Sequence, residues 1–534
     1  MKVLLTVTVS ALALAALSAP AVAQHQNMPG MTMPMSERPP AKNSAPKKKA
    51  SAKKLTTTTA AKKKRAMPKA SATHAGHAPS GNATIEPAMP MPMAPGMTMP
   101  VDHSQHGTVP MPQPGTPAPM PPMDHSQMGQ TPMDRSRMQM GEHGGHTGQM
   151  EMTAALGPYP MTRESSGTAW QPDASEHTGL HVMSGDWMLM AHGVVNLVYD
   201  HQSGPRGDDK AFASGMLMGM ARRPLGDGTL QFKAMLSPDP LMGKSGYPLL
   251  LASGETANGV DRLIDRQHPH DLFMELSASV SQNIGHGSGL FVYAGLPGEP
   301  AFGPPAFMHR EAILDSPEAP ISHHWLDSTH ISFGVVTAGL VLDRVKFEVS
   351  RFNGREPDQH RWNIETGPLD STTIRVSWNP TRTLALQGSW GHFTDPEQLE
   401  PGVDQKRWSA SALYAREIAP GWKLAGTLAW GRKSAHGHDD DAYVGEASVK
   451  HAGWTLFGRG EMTENRELTD VEEGPAYRVG KLSLGVVRDV HIAEHLSLGA
   501  GGLVALNFVP DAIAPLYGGH NPTGAMGFVR LKLD

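Results

Sequence analysis

Short segments in which apolar and polar residues alternate fill the sequence from about residue 159 to its end. In residues 228–236, one face would carry Leu230, Phe232, Ala234 and Leu236, and the other would carry Thr229, Gln231, Lys233 and Met235. Alternation with a period of two is typical of a β-strand that has one apolar face. This part of the chain is therefore expected to be all-β.

Sixteen segments follow this pattern. They are 186–199, 212–222, 228–236, 271–284, 290–294, 331–342, 344–352, 371–378, 384–392, 408–416, 422–430, 442–450, 454–462, 481–488, 496–508 and 525–533. Segments of roughly 9–11 residues suit strands that cross a membrane at a tilt. The sequence thus predicts an outer-membrane-type antiparallel β-barrel of about 14–16 strands over residues 153–534.

A secreted sandwich or propeller would also show alternation, so the export signal and the aromatic residues help to decide. Lys2, the apolar run 3–17 and Ala21-Val22-Ala23 form a signal peptide over residues 1–23. Many Trp and Tyr residues, such as Trp378 and Trp454, stand near segment ends, where a membrane barrel carries aromatic girdles. Both features favour the outer membrane.

Residues 24–152 are rich in Met, His, Pro and Gly and have few branched apolar or aromatic residues. Such a segment cannot bury enough apolar surface to offset its ordering entropy, so we expect a disordered periplasmic arm. A basic block at 42–69 either contacts anionic envelope polymers or lipid phosphates, or serves as a solvated spacer.

Three related hexapeptides lie in this arm, at 101–106, 123–128 and 133–138. Their candidate metal ligands are His103, His106, Met123, His125, Met128, Met133 and Met138. Thioether sulfur and imidazole nitrogen suit copper in either oxidation state, and the chain has no cysteine that could supply a thiolate. Copper binding is the leading hypothesis for the arm, and a flexible low-complexity tether is the alternative.

The hexapeptide Met-Asp-His-Ser-Gln-Met at 123–128, placed before a predicted barrel, resembles the repeats of the copper resistance B outer-membrane proteins. That resemblance is confined to the arm. The barrel half, with its motifs at 166–173 and 265–271, resembles a family of exported proteobacterial proteins and brings no activity with it.

The predicted barrel also carries a cluster of potential metal ligands between residues 265 and 360. His268, His270 and Asp271 are predicted to form one side of a metal site, which ligands near His309 or in 323–330 would complete. Imidazole and carboxylate together suit a divalent ion. The alternative is a polar lumen or turn in which Arg262, Arg266, Arg310 and Arg361 neutralise the acids.

The remaining sequence features narrow the function. A formal charge of -5 over 534 residues gives no case for a nucleic-acid partner. No nucleophile elbow, phosphate loop or His-Glu-x-x-His motif is present, so no enzymatic activity is expected, and an outer-membrane hydrolase is only a minor alternative.

We therefore expect an outer-membrane protein with a periplasmic arm that binds copper and contributes to copper tolerance or trafficking. Outer-membrane lipid and a periplasmic copper oxidase or carrier are the expected partners. The main alternative is a general channel for small solutes, with the arm as a passive spacer.

Overall fold

The computed structural model describes residues 152–533, apart from positions 177, 470, 472 and 473. The predicted signal peptide (1–23), the basic block (42–69) and the arm up to residue 151 lie outside the described residues. The seven candidate ligands of the arm lie outside them as well.

Nineteen strands make up most of the described chain. They are β1 (Leu180–Ser184), β2 (Trp187–Gln202), β3 (Asp209–Leu225), β4 (Gly228–Leu236), β5 (Tyr247–Thr256), β6 (Arg262–Gln267), β7 (Phe273–Gly285), β8 (Ser288–Gly295), β9 (Val335–Leu342), β10 (Val345–Phe352), β11 (Ser371–Thr381), β12 (Leu384–Phe393), β13 (Gln405–Ala419), β14 (Trp422–Ala435), β15 (His438–His451), β16 (Trp454–Asn465), β17 (Tyr477–Ala493), β18 (Leu496–Phe508) and β19 (Thr523–Leu533). The described helices are single turns: His323–Leu326 and Ala514–Tyr517, and the 3-10 turns Met161–Arg163, Asp239–Met242, Phe307–His309 and Ser328–His330.

Sixteen of these strands close into one antiparallel barrel. They are β2, β3 and β4, followed by β7 through β19, and each pairs with its neighbours in this order. Pairing of β19 with β2 closes the ring, and the short β1 forms a hairpin with the start of β2. The predicted barrel is confirmed, and each of its strands overlaps one of the sixteen alternating segments, although the segment 331–342 begins four residues before β9.

The two faces of the wall differ as the alternation predicts. In β17, Leu482 and Leu484 are 54% and 56% exposed on the outside, whereas the alternating residues Lys481 and Ser483 are buried in the lumen. An apolar exterior around a polar interior is typical of a barrel embedded in lipid. In the described part of the chain, no helix is long and apolar enough to cross a membrane.

The two ends of the barrel also differ. Eight two-residue turns join strands at one end, from the turn between β1 and β2 to the turn between β17 and β18, and β19 also ends there. Longer connections, including 237–272 and 296–334, leave the opposite end. Since short turns face the periplasm in outer-membrane barrels, we call this end the periplasmic end.

A plug, formed by residues 152–179, 237–272 and 296–334, fills much of the lumen. Leu249, Leu250 and Leu251 of β5 have no exposed surface and belong to a cluster with the luminal side chains Val198 and Phe212. Near the periplasmic end, residues 152–179 bury Tyr159 and Trp170 in a second cluster that includes Phe291. The lumen therefore contains apolar cores as well as polar groups.

Buried ion pairs connect the plug to the wall. Arg530 of β19 donates to Asp315 of the plug at 2.7 Å, and the Lys450 ammonium lies 3.1 Å from the same carboxylate. Burial alone would raise the pKa of Asp315, but Lys450 and Arg530 outweigh burial and hold it well below its usual range. A carboxyl group whose pKa is lowered by folding stabilises the folded state above its unfolded pKa.

We predict that Asp315→Asn lowers the free energy of unfolding at neutral pH by on the order of 3 kcal/mol, because it leaves two buried cations without their shared anion. As the pH falls below about 4, Asp315 takes up a proton in the unfolded wild type while the folded protein keeps it ionised, so this stabilisation is progressively lost and the difference between the two proteins should shrink. Urea unfolding in lipid vesicles, followed by tryptophan fluorescence, measures this difference. A difference that stays constant down to pH 2 would contradict the assignment.

Candidate metal centre

Two connections of the plug bring three histidines together inside the barrel. His270 lies between β6 and β7, whereas His323 and His330 lie in two consecutive turns of the connection from β8 to β9. All three side chains are buried. We call these residues the tri-histidine cluster.

The cluster brings imidazole nitrogens to one point. One ring nitrogen of each histidine lies within 4.8 Å of the corresponding nitrogens of the other two. The ring centres of His323 and His330 are 5.2 Å apart, and those of His270 and His330 are 5.1 Å apart. Three ligands at about 2 Å from one ion would lie somewhat closer together, so small side-chain shifts would complete the coordination.

The other ring nitrogen of each histidine is already occupied. His270 Nδ1 lies 2.8 Å from Asp239 Oδ2, His323 Nδ1 lies 2.7 Å from Asp327 Oδ1, and His330 Nδ1 lies 2.7 Å from the carbonyl oxygen of Asp327. Ionised carboxylates and carbonyls only accept hydrogen bonds, so Nδ1 is the donor in each ring. The tautomer is thereby fixed, and Nε2 keeps its lone pair.

These Nε2 atoms have no partner within the described residues. His270, His323 and His330 each bury Nε2 without a hydrogen bond. An orphaned buried polar atom is costly, and in native proteins it usually has a specific explanation. Histidines whose Nδ1–H is held by a carboxylate or carbonyl while Nε2 points to a common centre are typical of metal ligands.

The electrostatic surroundings favour the neutral form of His323 and His330. Burial lowers the pKa of His323 even though Asp327 acts in the opposite direction, and burial together with the neighbouring His270 lowers the pKa of His330 well below 6.5. A metal competes with the proton for Nε2, so a neutral imidazole is the form that binds. These two histidines are thus in their ligating form at neutral pH.

Anchoring side chains hold the acceptors in place. Asp327 also accepts from Arg310, which donates to both oxygens of Glu446 on β15 at 2.7 and 2.8 Å. The backbone at Asp239 is held by a hydrogen bond in which its N–H donates to Ser237 Oγ at 3.1 Å. The acceptor of His323 is therefore fixed to the barrel wall through a fully buried arginine.

Phe307 and His268 flank the cluster. The Phe307 ring centre lies 6.1 Å from that of His270 and 5.7 Å from that of His323, which excludes water on this side. The His268 ring lies 5.9 Å from His323 and also buries an unpartnered Nε2. Its Nδ1 lies 3.3 Å from Glu255, and His268, although predicted as a ligand, does not belong to the convergent group.

The other predicted site residues have different surroundings. Asp271 accepts from Arg361 Nη1 at 3.1 Å and does not belong to the convergent group, which matches the arginine-neutralised alternative for this residue. His309 lies in a separate cavity lined by His192 and Lys233.

Sequence reasoning did not identify Asp239 and gave Asp327 only as a possible ligand. Asp239 precedes His270 by 31 residues, and no local spacing connects the two. Asp327 follows His323 by four residues, a spacing that places both on one face of a helical turn.

No protein-family model matches the chain, and no curated protein matches it. The chain is similar to the solved structure of OmpT from Vibrio cholerae, with 9% identity, a TM-score of 0.39, and coverage of 66% of this chain and 100% of OmpT. It is also similar to OmpF of Salmonella typhi in complex with daunomycin, with 11% identity, a TM-score of 0.42, and coverage of 66% and 100%. It is similar as well to OprB of Pseudomonas putida, with 10% identity, a TM-score of 0.43, and coverage of 65% of this chain and 94% of OprB. Because these similarities are low, the fold assignment depends on the strand pairing described above.

We predict that the full chain binds Co(II) with the visible absorption of a low-coordinate nitrogen site, and that His270→Ala or His323→Ala lowers this affinity by about tenfold or more. His324→Ala is the matched control, because His324 is buried in the same helical turn and lies 3.5 Å from Glu356. Titration followed by visible spectroscopy measures the affinities. Equal affinities in all four proteins would exclude the centre.

Proposed function

We propose that this protein is an outer-membrane channel of the plugged type, whose plug binds a transition-metal ion, and that it contributes to copper tolerance or trafficking. The observation that carries the proposal is the tri-histidine cluster, in which one ring nitrogen of each histidine converges with those of the other two, each Nδ1 is held by an acceptor and each Nε2 is buried without a hydrogen-bond partner. The apolar exterior of the barrel supports its place in lipid.

The donor set supports a particular class of ion. Neutral imidazoles suit Zn²⁺ and Cu²⁺, and copper has the higher intrinsic affinity of the two for such ligands. Mg²⁺ and Ca²⁺ prefer oxygen ligands, so three imidazoles disfavour them. The Met- and His-rich arm, with ligands such as Met123 and His125, adds thioethers and favours copper over zinc.

The plug supports a restricted conduit. Sixteen-stranded barrels are wide enough for an aqueous channel, but here wall side chains such as Lys346 and Arg375, which point inward, have almost no exposed surface. A small ion can pass through gaps that exclude larger hydrated solutes. The plug therefore favours ion handling over unrestricted diffusion.

A second candidate is the general channel for small solutes, with the arm as a spacer. The barrel's sixteen strands favour it, since open porins have this strand number. In planar bilayers, we expect the plugged protein to show conductance well below that of an open sixteen-stranded barrel. Large, steady steps that do not respond to copper would favour the solute channel.

The cellular prediction separates the arm from the barrel. In cells whose native copy is deleted, the wild type should restore copper tolerance, whereas a variant without residues 24–152 and the double variant His270→Ala/His323→Ala should each restore less. The physical reason is that each change removes a different set of copper ligands. Growth across a copper series measures the effect, and His324→Ala is the control.

Each variant must first be shown to reach the outer membrane, by membrane fractionation and by a heat-dependent shift on gels. Full copper tolerance with both ligand sets removed would exclude the copper role. Recovery of the wild type as a soluble periplasmic protein would exclude the membrane barrel.

A further inference from the structure

A second group of potential metal ligands lines a cavity between the plug and the wall. The cavity, of about 140 Å³, lies between the wall strands β2 to β4 and the turn Phe307–His309. Five methionines and two histidines contribute to its lining: Met190, Met216, Met218, Met220, Met308, His192 and His309. We call it the methionine cavity.

Strand register places these side chains beside one another. Met190 is directly opposite Met220, and His192 is directly opposite Met218, in the pairing of β2 with β3. Side chains at directly opposed positions have Cβ atoms about 5 Å apart and share one face of the sheet. That face is luminal, because Met190 is 4% exposed whereas its neighbour Leu189 is 41% exposed on the outside.

The plug contributes the opposite side of the cavity. Met308 and His309 lie in the turn Phe307–His309 and line the same space. His309 buries Nε2 without a hydrogen-bond partner, although Glu311 lines the same cavity. The orphaned imidazole nitrogen is an independent sign that this space holds a ligand.

Methionine also fills irregular cores, and this explanation fits Met235 and Met274, which are 3% and 0% exposed in an apolar cluster with Phe333. Met216 belongs to the same cluster and Met218 and Met308 pack against it, whereas Met190 and Met220 line the cavity outside this cluster. The apolar core of a soluble protein would also exclude charged side chains, whereas Lys233 and Glu311 line this cavity. Thioethers in contact with a polar, accessible space are in a position to bind a soft ion.

We propose that the methionine cavity binds Cu(I), through the thioethers of Met190, Met218 and Met220 and an imidazole of His192 or His309. Thioether sulfur selects Cu(I) over harder ions, and the absence of cysteine leaves methionine as the only soft ligand in the chain. The site is distinct from the tri-histidine cluster, whose donors are all nitrogens.

The cavity lies toward the periplasmic end of the barrel, where Lys532 and Leu533 at the end of β19 also line it. Thr153, near the start of the described chain, accepts a hydrogen bond at 2.8 Å from Arg222, two residues along β3 from Met220. The first described residues, which follow the Met/His repeats in the sequence, therefore lie beside this cavity.

The test measures monovalent-ion equivalents on the full chain, with Cu(I) and the redox-stable Ag(I) as probes. The competitor is a colorimetric Cu(I) chelator. Met190→Leu/Met220→Leu should lose one equivalent, or lower its affinity by about tenfold or more, because leucine keeps the volume but lacks the sulfur ligand. Met274→Leu is the matched control, since Met274 is buried on the neighbouring wall outside the cavity.

Three further variants separate the possible outcomes. His309→Phe should lower the affinity without changing the thioethers, and Met218→Leu carries the same expectation if the double variant does not assemble in the membrane. His270→Ala/His323→Ala should keep the Cu(I) equivalent, so failure of the tri-histidine proposal leaves this one standing. Unchanged stoichiometry and unchanged affinity for Cu(I) and Ag(I) in an assembled Met190→Leu/Met220→Leu or Met218→Leu variant would overturn the site.

Discussion

Burial of charge inside a closed barrel is the constraint on which the rest of this structure depends. Because the outside of the wall must be apolar, the alternating positions direct arginine, lysine and glutamate side chains into the lumen. Filling that lumen with a plug removes water from them, and a buried charge without a partner costs several kcal/mol or more. Arg310, Arg459 and Arg530 are 0–3% exposed, and each is paired with at least one carboxylate.

The same pairing positions the candidate metal centre. Arg310 joins Asp327 of the plug to Glu446 of the wall, and Asp327 in turn fixes the tautomer of His323 through its side chain and contacts His330 through its carbonyl. The two histidines are therefore held by the network that holds the plug. A metal centre built on such a network needs little reorganisation when an ion binds.

The strand pattern was predictable because each barrel strand has one face toward lipid and one toward the lumen. Apolar and polar residues therefore alternate along the sequence with a period of two. The plug was not predictable on the same basis. Residues 247–254 of β5 are buried without interruption, and an uninterrupted apolar run such as Leu249-Leu250-Leu251 does not reveal which side of the wall it occupies. Its hairpin partner β6 and the wall residues it contacts are fixed only by the closed topology.

For the candidate site, local density indicated His268 and His270 and the region 323–330, but the partners required the fold. Asp239 reaches His270 from the other end of the connection 237–272, and Arg361 reaches Asp271 from 90 residues along the chain. The methionine cavity could not be predicted from single segments either, because Met190 and Met220 become neighbours only through the register of β2 with β3. The seven candidate ligands of the arm stay a prediction.

The wall that faces the plug differs in chemistry around the barrel. Around β15 to β17 and β19, the plug is fixed by directional ion pairs, such as Glu318 with Arg459 and Lys481. Along β2 and β3, the wall faces the plug with thioethers such as Met216 and Met218, whose contacts are flexible and have little directional preference. The turn Phe307–His309 contacts both candidate sites, because the Phe307 ring lies 5.7 Å from that of His323 while Met308 and His309 line the methionine cavity. A site with thioether ligands and a site with imidazole ligands are therefore joined by a single turn of the plug.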